Sequence, residues 1–130
     1  LMTTLSAFST PYVDAMERAR QRVAAPRTVR RAIAHIEANA QKPLTLEDIA
    51  AASGISSRGL QHAFRRELDT TPSEYLRRVR LSGAHEELRA GTAESVADVA
   101  RRWGFSSASR FARYHREHYG QNPAQVIRAF

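Results

Sequence analysis

The chain says one thing twice. At an offset of 50 residues, Thr45 faces Ser95, Leu46 Val96, Asp48 Asp98, Ile49 Val99 and Ala50 Ala100. Gly54-Ile55-Ser56-Ser57 then faces Gly104-Phe105-Ser106-Ser107. After one inserted residue the offset is 51, and Leu60 faces Phe111, Arg65 Arg116, Leu68 Tyr119 and Pro72 Pro123. A repeat of this length dictates the architecture, because each copy must be one supersecondary unit.

Each copy has a physical logic. Thr45 and Ser95 place a hydroxyl at a helix start, with Asp48 and Asp98 three residues on, the spacing of a capping box. A short helix follows, apolar at 46, 49 and 50 and again at 96, 99 and 100. Gly54 and Gly104 supply the positive φ of a tight stop. Ile55 and Phe105 plug the corner. Ser56 or Ser57, and Ser106 or Ser107, then cap a second helix. Its inner face carries Leu60, Phe64 and Leu68 in the first copy, and Phe111, Tyr119 and either Tyr114 or His115 in the second. Two helices joined by a short glycine-containing turn are a helix-turn-helix.

The outer faces of those second helices carry Arg58, Gln61, His62, Arg65 and Arg66 in one copy, and Ser109, Arg110, Arg113 and Arg116 in the other. A guanidinium can bridge guanine O6 and N7, and a carboxamide can pair with adenine N6 and N7. One polar face is ordinarily a solvated face. Arginine-rich faces at matched positions of two copies point to DNA instead.

Between the copies runs a longer helix. Thr71-Pro72-Ser73-Glu74 gives it a hydroxyl cap, a first-turn proline and an acid. It continues through Tyr75, Leu76, Val79, Leu81, Ala84 and Leu88 and stops near Gly91. Gly83 in its interior is unfavourable by roughly 1 kcal/mol relative to alanine. Asn122-Pro123-Ala124-Gln125 repeats the start signal and opens the last helix. Upstream, residues 27–39 form an amphipathic helix with Val29, Ile33 and Ile36 inward. Residues 1–26 read as the tail of a preceding domain or a linker, helical over 10–23. The chain starts on Leu1, which fits a fragment of a longer protein.

Composition agrees. The 130 residues hold 20 Lys+Arg against 13 Asp+Glu, for a net +7 and a pI near 10.9, and Lys42 is the single lysine. The charge collects in the repeats: residues 27–68 carry +3 and 95–130 carry +4, while 69–94 carry −1. Such a charge favours polyanions. There is no cysteine for a disulfide or thiolate site, and no apolar run approaches the ~20 residues that span a bilayer. A cytoplasmic location is expected.

As a set, Asp48-Ile49-Ala50, Gly54-Ile55-Ser56, Leu60-x-x-x-Phe64, Pro72-x-x-Tyr75, Arg80-Leu81-x-x-Ala84, Val96-x-x-Val99-Ala100, Gly104-Phe105, Phe111, Tyr119-Gly120 and Pro123 resemble the DNA-binding domain of the AraC/XylS transcriptional regulators over residues 27–130. The resemblance implies an all-α fold of about seven helices. Two homeodomain-like helix-turn-helix subdomains, 27–71 and 91–130, are joined by a linker helix, 72–90. It implies a sequence-specific regulator with two recognition helices in successive major grooves. Arg58, Gln61, His62, Ser109, Arg110 and Arg113 match base-reading positions, and Ser57, Arg65, Arg66, Ser107 and Arg116 match phosphate-holding ones. It also implies double-stranded DNA and RNA polymerase as partners, no cofactor, no membrane, and a small-molecule effector only through a domain outside this chain. Three positions depart from the family pattern. Asp69 stands for the usual glycine, His115 for the usual phenylalanine, which makes the second unit's packing pH-sensitive, and His62 for a more basic residue.

Other readings are weaker. No G-x-S-x-G elbow, phosphate loop or H-E-x-x-H motif supports an enzyme. The pair His115 and His118, with Glu117, is a poor metal site on a helix needed for packing. A protein-binding helical module would not need the Arg faces. A nonspecific architectural binder would show wedge residues for the minor groove.

Overall fold

In the computed structural model, residues 26–128 are described. The helix expected over 10–23 lies outside them. Seven helices and no strand occur among the described residues: α1 (Arg27–Asn39), α2 (Leu46–Ser53), α3 (Ser57–Leu68), α4 (Pro72–Ala90), α5 (Val96–Arg102), α6 (Ala108–Tyr119) and α7 (Pro123–Arg128). They fall into two compact units that divide within α4, between Val79 and Arg80.

The first unit packs α1, α2, α3 and the start of α4. Apolar residues at helical spacing on α1 bury Val29, Ala32, Ile33 and Ile36. They share the unit with Ile49 and Ala50 of α2, Leu60 and Phe64 of α3, and Tyr75 and Val79 of α4. Phe64 and Tyr75 meet edge to face, centroids 5.9 Å apart, a geometry that adds about 1 kcal/mol beyond area burial. Thr45 starts α2 with a complete capping box: its Oγ1 accepts from Asp48 N at 3.1 Å, and its own N–H donates to Asp48 Oδ2 at 3.1 Å. Those bonds hold the Asp48 carboxyl below its usual pKa range. Thr45→Ala should destabilise the unit by about 1 kcal/mol; an unchanged urea midpoint would contradict that.

The second unit packs the rest of α4 with α5, α6 and α7 around Leu81, Ala84, Leu88, Val99, Phe111, Tyr119 and Val126. Here the capping box is half formed. Ser95 Oγ accepts from Asp98 N at 3.1 Å, but the Asp98 carboxylate turns to Arg101. Trp103 is packed against α4: its ring lies on Gly83, and its Nε1 donates to Glu87 Oε1 at 3.2 Å.

The corner between helices is built alike in both units. Gly54 and Gly104 sit at φ 76° and 80°. The next N–H reaches back five residues, Ile55 to Ala50 O at 3.3 Å and Phe105 to Ala100 O at 2.9 Å, the long bond of a Schellman stop. The extra residue of the second copy falls in this corner. Ser56 caps α3 directly, whereas Ser106 intervenes before Ser107 caps α6. The copies are therefore in register at offset 51 from the cap onward, one step earlier than pairing Ser57 with Ser107 would place it. The left-handed residue that ends α3 is Asp69, φ 53°, where glycine is usual because a side chain strains that conformation.

Candidate DNA interface

Both recognition helices start on a serine cap: Ser56 Oγ accepts from Gly59 N, and Ser107 Oγ from Arg110 N, each at 3.1 Å. Neither α3 nor α6 has an acid in its first turn. Of the other helices, α2, α4 and α5 carry Glu47 and Asp48, Glu74, and Asp98 there, whereas α1 and α7 carry none. Acids in a first turn stabilise a helix against its own dipole. Their absence from α3 and α6 keeps those ends positive for an approaching phosphate backbone.

Burial sets the outward face. Leu60, Ala63 and Phe64 hold α3 down, and Phe111, His115 and Tyr119 hold α6. At roughly 100° per residue, the stripe opposite is Arg58, His62 and Arg65 on α3; on α6 it runs through Arg113 and Glu117, with Ser109 and Arg116 to one side and Arg110 to the other. All of these are exposed, as is Gln61 on the flank of α3. The residues assigned as base readers thus gather on the outer face of each helix, within its first two turns.

The assigned phosphate holders differ among themselves. Arg65 and Arg66 are exposed on the later turns of α3, and Arg66 Nε bonds Glu67 Oε1 at 2.9 Å. Arg116 Nη1 bonds Asn122 Oδ1 at 3.0 Å. Ser57 is the half-buried first residue of α3, and Ser107 is an exposed cap whose oxygen already accepts a backbone N–H. Sequence reasoning missed Asn122 as the residue that steadies Arg116, although the repeat signal marked it as a helix cap. It left Tyr114 undecided. The Tyr114 ring lies partly buried under Arg113, whose Cζ is 5.0 Å from the ring centre. His115, weighed as a metal ligand with His118, is instead fully buried, with Nδ1 on the Gln121 carbonyl at 2.8 Å.

Residues 49–129 match the helix-turn-helix domain family. A crystal structure of a probable AraC family transcriptional regulator from Rhodopseudomonas palustris superimposes with a TM-score of 0.76 at 37% identity, covering 80% of this chain and 97% of that one. The chain belongs to the AraC/XylS family. As an AraC/XylS DNA-binding domain it is also similar to the DNA-binding domain of AdpA, a global transcriptional factor solved with a target DNA (TM-score 0.71, 25% identity, covering 80% of this chain and 93% of that one). Among curated relatives, the probable thc operon regulatory protein of Rhodococcus erythropolis is 40% identical over 107 residues, which is 81% of this chain and 32% of that protein. The regulator GbdR of Pseudomonas aeruginosa is 34% identical over 91 residues, 70% of this chain and 24% of that protein. The chain thus spans a third or less of the length of these two relatives. No helix among the described residues is long and apolar enough to cross a membrane.

Proposed function

We propose that this chain reads a promoter by inserting α3 and α6 into successive major grooves, as the output half of an effector-responsive regulator. Arg58, Gln61 and His62, with Ser109, Arg110 and Arg113, contact base edges. Ser57, Arg65, Arg66, Ser107 and Arg116 hold phosphates, which position the protein without reading sequence. The effector acts through a domain outside the chain, and the bound protein recruits or blocks RNA polymerase. The observation that carries this reading is the pair of exposed, acid-free helix starts at matched positions of two units. One such face is an ordinary solvated surface; two in register are a bipartite reading head.

The test is selection of sheared genomic DNA by the purified chain at about 150 mM salt, near physiological ionic strength. Enrichment of two short motifs about 10 base pairs apart supports the reading, and no enrichment sinks it. Arg65→Ala should weaken binding to all sequences alike and reduce the salt slope by about 1, whereas Arg58→Ala should lose about 1–3 kcal/mol at one base position. Identical behaviour of the two variants across sequences would overturn the division between readers and holders.

A further inference from the structure

The protein repeat does not repeat its chemistry. With the caps Ser56 and Ser107 aligned, Arg58 stands opposite Ser109, His62 opposite Arg113 and Arg65 opposite Arg116. On the flanks the copies diverge. Gln61 stands opposite Ala112, and Arg110 opposite Gly59. Gln61 lies one position before His62 and Arg110 one position after Ser109, so the two leave their helices on opposite sides of the central stripe. The first unit therefore extends a carboxamide on one flank, and the second extends a guanidinium on the other.

We infer that the two half-sites differ in base composition: α6 selects a half-site with two guanines, α3 selects one with a guanine and an adenine, and the domain therefore binds its operator in one fixed direction. The inference rests on the base-reading roles proposed above. Among the readers, α6 has two guanidinium forks, Arg110 and Arg113, each suited to guanine O6 and N7, and a short hydroxyl at Ser109 that discriminates little. On α3, Arg58 is the single fork, and Gln61 matches the donor and acceptor of adenine. The His62 ring lacks the paired fork that makes a bidentate contact and adds less discrimination. A second asymmetry reinforces the first. The fork of α3 is two residues past its cap, whereas Arg113 is six past its own, resting on Tyr114. Even a guanine common to both half-sites would be met at different points along the two helices. A chain descended from a repeat thus reads a site that is not a repeat. The direction of binding then decides which unit faces the transcription start.

The experiment is selection from randomised duplex DNA with the intact chain, Arg110→Ala and Gln61→Arg in parallel. Both substitutions lie on exposed side chains, so folding is retained and can be checked by circular dichroism. The expected result is a two-part motif with unlike halves. Arg110→Ala flattens one guanine position, by about 10-fold or more, in the guanine-rich half only. Gln61→Arg converts the adenine preference of the other half to guanine and leaves the first half unchanged. Exchanging the order of the halves on one duplex lowers affinity by at least about 10-fold. Two like halves, or a Gln61→Arg profile identical to that of the parent chain, overturn the asymmetry while leaving base reading intact. Binding with no recovered motif overturns the base-reading roles and this inference with them.

Discussion

Replacing Gly83 with alanine is expected to destabilise the second unit by about 2 kcal/mol, although it is a glycine-to-alanine change inside a helix. Helix propensity alone favours the change by roughly 1 kcal/mol. Packing reverses the sign. A Cβ at Gly83 would lie 2.2 Å from Trp103 Cη2 and 2.3 Å from Cζ3, well inside contact distance. The indole has little freedom to withdraw, because its Nε1 is bonded to Glu87 Oε1, and Glu87 also accepts from Arg102 Nε at 2.9 Å. Overpacking of this kind costs about 1–3 kcal/mol and occasionally more. Here the ring must either displace the Cβ-bearing helix or leave its seat and lose its burial. The expected shift in melting temperature is about 5–10 °C downward. Trp103 is the only tryptophan in the chain, so its fluorescence should move toward that of a hydrated indole. Combining Gly83→Ala with Trp103→Ala should cost less than the sum of the two, as for residues in contact. A higher melting temperature for Gly83→Ala alone would show that the ring is not held there.

That glycine also shows where the sequence stops being legible. The pattern of residues 72–90 predicts a helix with apolar positions on more than one side, and α4 is such a helix, divided between two units. The pattern prices Gly83 as a defect, because propensity is local and Trp103 is twenty residues away. The stops at Gly54 and Gly104 were legible, since a left-handed cap leaves a glycine behind. So was the αL residue at Asp69, through the glycine usual at that position in the family pattern. The choice between Ser56 and Ser57, or Ser106 and Ser107, was not legible. Adjacent serines have the same capping chemistry, and only the backbone path decides which carries the extended φ and ψ. The incomplete box at Ser95 was hidden for a similar reason: Asp98 has the right spacing, but Arg101 competes for it. On the candidate interface, the exposed residues followed from the apolar period of α3 and α6. The neighbours that steady them, Asn122 beside Arg116 and Tyr114 beneath Arg113, required three-dimensional contacts.

His115 is the departure with the largest consequence, and its partner could not be read from the sequence. The ring is fully buried between two acceptors or donors: Nδ1 lies 2.8 Å from Gln121 O, and Nε2 lies 2.9 Å from His85 Nδ1. A carbonyl only accepts, so Nδ1 carries the hydrogen, Nε2 accepts, and His85 Nδ1 donates. His85 in turn stacks on Tyr119, ring centres 3.9 Å apart. Burial pushes the His115 pKa down; the Gln121 bond opposes that, and nearby His118 adds to it. The unfolded chain takes up this proton near pH 6.5, where the folded chain resists it. Below that value the unfolded state binds more protons, so stability rises with pH. The contribution is fully present above about pH 6.5 and is lost as pH falls below it. Protonation at Nε2 turns that acceptor into a donor, so the contact persists only if His85 moves its own hydrogen to Nε2. His115→Phe, which removes the titrating group, should flatten the fall in urea midpoint between about pH 7 and pH 5. An unchanged fall would assign it to other groups. His115→Ala should cost about 3 kcal/mol at neutral pH, from the cavity and the lost bond to His85. Because His115 and Phe111 anchor the inner face of the helix that presents Ser109, Arg110 and Arg113, acid should weaken binding at the half-site proposed for α6 before that at the half-site proposed for α3. The inner face of α3, held by Leu60 and Phe64, has no buried group that titrates.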